Sequence, residues 1–278
     1  MSLDSQIVRK FSLILAFSVV IVLSVLIITP YQITISSSLE AGGKQPLPTP
    51  QSASKGGHKV FVAIMRSVYP DQPALVNLYR QYLTSTDYVM CFPNTKNLNY
   101  ALQLPGIKGV SYFSLDEIRA NAPLLKSQGI DFIAYDIERS YSPPNDVDNV
   151  TASISAAQNI VRSQGMAFMS TPSGNVIRPH VEAFAKYSDI VNPQGQTLQP
   201  NASTYAQYIS NMSSQLRAVN PSIKIIAELS TVKGDVQNMK QAFMSVAPYV
   251  DGATIWYRNI PVDLEQIKQF LSWFKSNY

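Results

Sequence analysis

The chain has 278 residues, of which 46% are hydrophobic and 14% charged, with a mean hydropathy of 0.00. This composition fits one large folded domain or two small ones, and it excludes a disordered or fibrous chain. The net charge is +4, but residues 1–58 hold four of the 22 basic and two of the 18 acidic side chains, which leaves +2 for the rest. No basic stripe interleaved with aromatic residues is present in the sequence, so we expect no nucleic-acid partner.

The chain carries one cysteine, Cys91, and two histidines, His58 and His180. A single cysteine permits no internal disulfide, and these three residues are too few for the common zinc sites. They also offer little for a hydrolase triad. We therefore expect neither a bound metal nor a cofactor.

Residues 11–29 form an uncharged, almost wholly apolar run whose length is close to the roughly 20 residues of a membrane-spanning helix. Arg9 and Lys10 precede the run, and no charged residue follows before Glu40. The positive-inside rule therefore places residues 1–10 in the cytoplasm and the chain after residue 29 outside the cell. We expect a retained signal anchor, which makes the chain a single-pass membrane protein. A cleaved signal peptide, which would release a secreted protein, is the alternative.

Residues 30–57 are rich in Ser, Pro, Gly and Gln. Such a composition is typical of a linker, here partly stiffened by its prolines, that holds the next domain away from the membrane. The domain that follows is predicted to cover residues 58–278.

From residue 59 onward, short runs rich in β-branched and aromatic residues alternate with longer amphipathic stretches. The short runs predict eight strands, at residues 59–67, 87–94, 109–115, 130–138, 166–173, 188–196, 222–230 and 250–258. The longer stretches predict eight helices, at residues 74–84, 98–104, 116–128, 151–164, 178–187, 203–219, 236–247 and 262–276. Gly129 and Gly165 each follow a predicted helix, as is typical of helix C-termini.

Regular alternation of strands and helices is typical of parallel strands joined by right-handed crossovers. Eight such units within residues 58–278 predict an α/β fold, the closed (β/α)8 or TIM barrel. A doubly wound open sheet is the alternative, but no glycine-rich nucleotide-binding motif follows the first strand.

Asp136 and Glu138 end the predicted fourth strand, at the side of such a barrel where active sites form. Because side chains alternate along a strand, Phe132, Ala134, Asp136 and Glu138 share one face, which we expect to point into the barrel. Two neighbouring carboxylates repel each other, so one is expected to stay protonated near neutral pH. A protonated carboxyl beside an anionic one is what glycoside hydrolysis requires.

Other residues at the predicted strand ends suit a sugar site. Gln194 and Gln196 share a face and could hydrogen-bond hydroxyl groups, while Trp256 and Tyr141 could stack on pyranose rings. Arg66, at the end of the first strand, is a further candidate for substrate binding. The alternative is structural: Asp136 and Glu138 would pair with arginines such as Arg66, Arg139 and Arg258, and the other side chains would only pack.

The segment DFIAYDIE, residues 131–138, resembles the strand-four signature of family 18 glycoside hydrolases, D-x-x-D-x-D-x-E, with Ala134 in place of one acid. The run GATIW, which ends at Trp256, is similar to that family's G-x-M-x-W strand. The resemblance implies that Glu138 is the acid/base and that Asp136 orients and stabilises the substrate's 2-acetamido group. It also implies that Trp256 stacks on the sugar at the cleavage point.

Glu228, near the end of the predicted seventh strand, allows a different mechanism. The chain would then resemble the retaining barrel glycosidases with an acid on strand four and a nucleophile on strand seven, here Glu138 and Glu228. The sequence leaves the orientation of this strand open, because either Glu228 and Ser230 or Ala227 and Leu229 could face inward.

The sequence thus predicts a membrane-anchored, extracytoplasmic glycoside hydrolase-like protein that cleaves a polysaccharide or glycoconjugate by carboxylate acid–base catalysis. A catalytically inactive barrel that binds glycans or cell-surface partners is the alternative. A lyase or isomerase that uses the same carboxylates is a third option, because barrels of this kind host many chemistries.

Overall fold

A computed structural model describes residues 57–64, 72–258 and 260–278. The predicted cytoplasmic tail and membrane helix, the predicted linker up to residue 56, and Arg66 lie outside these residues. No helix within the described part of the chain is both long and apolar enough to cross a bilayer.

Eight parallel strands form a closed barrel in which each strand pairs with its neighbours in sequence and β8 pairs with β1. This is the architecture of a TIM barrel, which the alternation of the sequence predicts. The strands are β1 (Lys59–Ile64), β2 (Tyr88–Cys91), β3 (Ile107–Tyr112), β4 (Phe132–Tyr135), β5 (Ala167–Ser170), β6 (Ile190–Val191), β7 (Lys224–Ser230) and β8 (Gly252–Trp256).

The helices of the described residues surround the barrel and pack their apolar faces against it. They are α1 (Gln72–Tyr82), α2 (Thr95–Leu102), α3 (Leu115–Leu125), α4 (Pro144–Asp148), α5 (Val150–Ser163), α6 (Gly174–Ile177), α7 (Val181–Tyr187), α8 (Ala202–Val219), α9 (Val236–Val246) and α10 (Ile260–Asn277). The predicted helix at 178–187 is instead a 3₁₀ turn, Arg178–His180, followed by α7.

Local sequence signals set several element ends. Helix α3 begins with a capping box, in which Ser114 Oγ accepts a hydrogen bond from Glu117 N and Glu117 Oε2 accepts one from Ser114 N. Gly129 and Gly165 adopt left-handed backbone conformations, with φ of 84° and 68°, after the preceding helical segments. Strand β6 is shorter than predicted because Pro193, which has no N–H to donate, follows it closely.

Large side chains fill the inside of the barrel. The rings of Phe61 and Tyr88 stack with their centroids 4.0 Å apart, and the ring of Phe132 lies against Gly109. A Cβ atom at Gly109 would come within 2.2 Å of that ring, so the absence of a side chain makes room for it. The remaining buried members of this inner cluster are Ala134, Met169, Ile190 and Ile226.

An aspartate precedes each even-numbered strand, and its carboxylate accepts a hydrogen bond from a backbone N–H of the preceding odd-numbered strand. The pairs are Asp87 with Val60, Asp131 with Lys108, Asp189 with Phe168 and Asp251 with Ile225, at 2.8 to 3.1 Å. A basic side chain pairs with each aspartate, in the same order Lys275, Lys126, Arg162 and Arg217. Because a buried N–H needs an acceptor, these aspartates fix how the strands meet at the base of the barrel.

We expect the Asp251→Ala substitution to lower the free energy of unfolding by about 2 to 3 kcal/mol, because it leaves the Ile225 N–H without its acceptor and removes the carboxylate that pairs with Arg217. Urea denaturation of the purified chain measures this loss. Asp148→Ala is the matched control, since Asp148 is 66% exposed in its ion pair with Arg139 and its removal should change stability by less than about 0.5 kcal/mol. Equal losses in the two variants would contradict a structural role for Asp251.

Candidate active site

A cavity of about 300 Å³ opens at the carboxyl ends of the strands, where sites form in barrels of this kind. All eight strands or the segments that follow them contribute to its lining. Carboxyl and amide side chains cluster on the side of β4 to β7. They belong to Asp136, Glu138, Asn192, Gln194, Gln196 and Glu228. Apolar and aromatic side chains dominate the side of β8 to β3. They belong to Ile255, Trp256, Ala63, Met90, Phe92 and Phe113.

Strand β4 and the residues after it place two acids in the cavity. Asp136 is buried and Glu138 is half-buried, and both line the cavity above Ala134. Ile133, Tyr135 and Ile137 pack against the helices instead. The inward face expected for Asp136 and Glu138 is therefore the one that the structure shows.

Gln194 connects the two acids. Its side-chain nitrogen lies 3.0 Å from Asp136 Oδ1, 2.8 Å from Glu138 Oε1 and 3.1 Å from the carbonyl oxygen of Thr171. An amide NH2 group can only donate, so it partners the lone pairs of both carboxyl groups. The sequence proposed Gln194 for sugar hydroxyls, and in the structure its donor group faces the two acids.

Glu228 brings a third carboxyl into the cavity from β7. It shares the inner face of the strand with Ile226, whereas Ala227 and Leu229 pack against the helices. The orientation that the sequence left open is thus inward for Glu228. The Asn192 side chain donates a hydrogen bond of 2.7 Å to Glu228 Oε2, so the segment after β6 holds all three acids through its two amides.

Burial changes the protonation of these acids. The pKa of Asp136 is raised well above its ordinary value, first by burial and then by the charges of Glu138 and Glu228. Burial also raises the pKa of Glu228 to about 7, with the hydrogen bond from Asn192 opposing the shift and the charge of Glu138 adding to it. The expectation that one acid of the Asp136–Glu138 pair keeps its proton agrees with the direction of the shift at Asp136.

The remaining predicted residues lie around the mouth. Trp256, Tyr141 and Gln196 all line the cavity, and the Arg258 guanidinium lies 6.0 Å from the centre of the Trp256 ring. Arg139 pairs with Asp148 at 3.8 Å. Among the described residues, the ion pairs involve acids other than Asp136 and Glu138, so the arginine-paired alternative finds no support in this part of the chain.

Eight lining residues were not among the site residues predicted from sequence. Four of them lie one residue beyond the C-terminal end of their strand, namely Phe92, Phe113, Thr171 and Asn192. Extending the inward alternation just beyond the ends of β2, β3, β5 and β6 would have identified them, as it identified Asp136 beyond β4.

No family model matches the chain, and no curated protein matches it in sequence. Solved structures share its fold. The spore cortex-lytic enzyme SleL of Bacillus megaterium is 11% identical with a TM-score of 0.55, over 83% of this chain and 76% of that one. A putative deoxyribose-phosphate aldolase from Coccidioides immitis is 12% identical with a TM-score of 0.52, over 77% of this chain and 88% of that one.

A chitinase from Chromobacterium violaceum is 13% identical, but its TM-score of 0.45, over 63% of this chain and 69% of that one, is too low to support an argument. At such identities the likeness to SleL and to the aldolase shows a common barrel fold. It does not choose between their activities.

We expect the free energy of unfolding to depend on pH through Glu228. Its pKa of about 7 in the folded protein exceeds the ordinary value of 4.5, so the folded chain keeps a proton that the unfolded chain releases between these values. The stability that this proton provides is fully present below about pH 4.5 and is lost as the pH rises through about 7, a change of about 3 kcal/mol. Glu228→Gln, which cannot ionise, should remove this part of the pH dependence.

Urea denaturation at several values between pH 4.5 and 8 tests this expectation. Glu182→Gln, at an exposed position on α7, is the control and should leave the pH dependence as it is in the wild type. If the Glu228→Gln variant lost stability with rising pH as steeply as the wild type, the carboxyl of Glu228 would not be the group that titrates.

Proposed function

We propose that the chain is a glycoside hydrolase-like enzyme that cleaves a polysaccharide or glycoconjugate by carboxylate acid–base catalysis. The observation that carries the proposal is the set of three carboxyl groups, Asp136, Glu138 and Glu228, in one cavity, two of them with a raised pKa. We also propose, from the sequence alone, that the barrel domain lies outside the cell and is held there by a membrane anchor at residues 11–29.

Glu138 is the proposed acid/base because it lines the cavity and is the least buried of the three acids. Asp136, whose pKa is raised, keeps a proton, and the Gln194 amide nitrogen lies against both carboxyl groups, so one proton is available to the pair. Glu138 gives a proton to the leaving glycosidic oxygen and takes one from water in the second step. Asp136, once anionic, stabilises the positive charge that develops on the sugar.

The nucleophile distinguishes two routes. If the substrate carries a 2-acetamido group, that group attacks the anomeric carbon while Asp136 orients it, as the resemblance to family 18 implies. If it does not, Glu228 would have to attack as an anion. With a pKa of about 7, Glu228 is mostly protonated in mildly acidic solution, so we favour the first route there.

The shared fold leaves an aldolase as the competing reaction class, since one of the similar structures is described as a putative aldolase. An aldolase that works through a Schiff base needs a lysine in its site. None of the described residues that line the cavity is a lysine. The acids and amides that do line it support hydrolysis.

Glu138→Gln should lower kcat by about 10²- to 10⁴-fold, because the variant has no proton to give to the leaving oxygen. Hydrolysis of GlcNAc-containing and neutral glycans by the purified chain, followed by reducing-end release, measures this. Glu182→Gln, on the outer helix α7, should retain full activity. Binding of a glycan by both the wild type and Glu138→Gln without any turnover would favour a catalytically inactive, glycan-binding barrel.

Glu228→Gln separates the two routes. On a substrate with a 2-acetamido group at pH 6, we expect the variant to keep kcat within about tenfold of the wild type, since Glu228 is not the nucleophile there. A loss of more than about 10³-fold, with rescue by a small external nucleophile such as azide, would instead identify Glu228 as the nucleophile.

A further inference from the structure

Three aromatic side chains form a row along one side of the mouth. The ring centroids of Phe92 and Phe113 are 5.6 Å apart with the planes at 20°, and those of Phe113 and Tyr141 are 5.6 Å apart at 42°. All three line the cavity, and the exposed fraction rises from 8% at Phe92 to 69% at Tyr141. Among the described aromatic residues, only Tyr141 is exposed. The row therefore leads from the cavity out to solvent.

The exposed ring is held close to the proposed acid. The backbone N–H groups of Tyr141 and Ser142 donate to the carbonyl oxygen of Glu138 at 3.2 and 2.8 Å. Ser142 Oγ accepts from Glu138 N at 3.0 Å and donates to the carbonyl oxygen of Asp136 at 3.1 Å. These four hydrogen bonds make a tight turn, so Tyr141 and Glu138 keep a fixed spacing.

A second aromatic ring stands across the mouth. Trp256 ends β8, which lies opposite β4 in the eight-stranded ring, and it lines the same cavity as Tyr141. The carboxyl of Glu138 borders the cavity from the β4 side. The row and Trp256 thus mark the two ends of the apolar half of the mouth, and the acids and amides of β4 to β7 line the other half.

From this arrangement we propose that the substrate is a chain of sugars that lies across the mouth, with one sugar on Trp256 and another, beyond the two sugars that flank the scissile bond, on the platform formed by Phe113 and Tyr141. Pyranose rings have apolar C–H faces that stack on aromatic rings and polar edges that hydrogen-bond. The two halves of the mouth match these two surfaces. The inference deepens the proposed function: the bond next to Glu138 is an internal bond of a polymer, not that of a small glycoside.

The test compares substrates of different length. Chito-oligosaccharides and cello-oligosaccharides of two to six sugars are given to the full-length chain as wild type, Tyr141→Ala, Tyr141→Phe and Leu124→Ala. Leu124 is 61% exposed on α3 and provides the control for loss of an exposed apolar side chain. We expect kcat/KM to rise with chain length, and Tyr141→Ala to reduce it about 3- to 10-fold on chains of four or more sugars only. Leu124→Ala should behave as the wild type, and Tyr141→Phe, which keeps the aromatic ring, should lose less than Tyr141→Ala.

Two results would overturn the inference while leaving the hydrolase intact: an equal loss in Tyr141→Ala on two-sugar and six-sugar substrates, or no loss on either. If the wild type hydrolyses none of the probes, the proposed activity fails. Calorimetric binding of the same oligosaccharides then tests separately whether the platform of Phe113 and Tyr141 binds sugars. Tighter binding of longer chains that Tyr141→Ala abolishes would support the platform in that case. Absence of binding to every probe would refute it.

Discussion

Hydrogen bonds between four aspartates and the backbones of neighbouring strands hold the base of the barrel, and the candidate site depends on the closed ring that they help to form. Asp136 and Glu228 come from strands three places apart, and they share a cavity because the ring brings the carboxyl ends of all strands together. A register shift of one residue would turn the inward face of a strand toward the helices. The base thus sets the geometry of the acids at the opposite end.

Burial of several carboxyl groups in one cavity opposes folding, and the structure offsets only part of this through amides. Gln194 and Asn192 donate to the acids without adding charge, so Asp136 and Glu228 retain raised pKa values instead of becoming fully anionic. The barrel core beneath them is apolar and well filled, and it needs no acids for its packing. An arrangement that is unfavourable for stability and unnecessary for the core is typical of a functional site.

The sequence predicts the barrel and the inward face of β4 because both follow from local periodicity. It does not decide the orientation of Glu228, since the residues between the two ends of β7, Lys224 and Ser230, are apolar on both faces apart from this one acid. It also does not reveal that Gln194 partners Asp136 and Glu138, or that Phe113 stacks between Phe92 and Tyr141. These contacts join strands and loops that are distant in sequence, and they depend on how the ring closes. The sixth strand was predicted too long, at residues 188–196, because Pro193, which has no N–H to donate, lies within an otherwise strand-like run.

The filled interior makes the cavity a blind one. The Phe132 ring against Gly109 and the stacked rings of Phe61 and Tyr88 leave no passage through the barrel to its base. In the proposed hydrolysis, substrate, water and both cleavage products would therefore use a single entrance. For a polymer cut in the middle, departure of one fragment then has to precede the arrival of water, which imposes an order on the steps of each catalytic cycle.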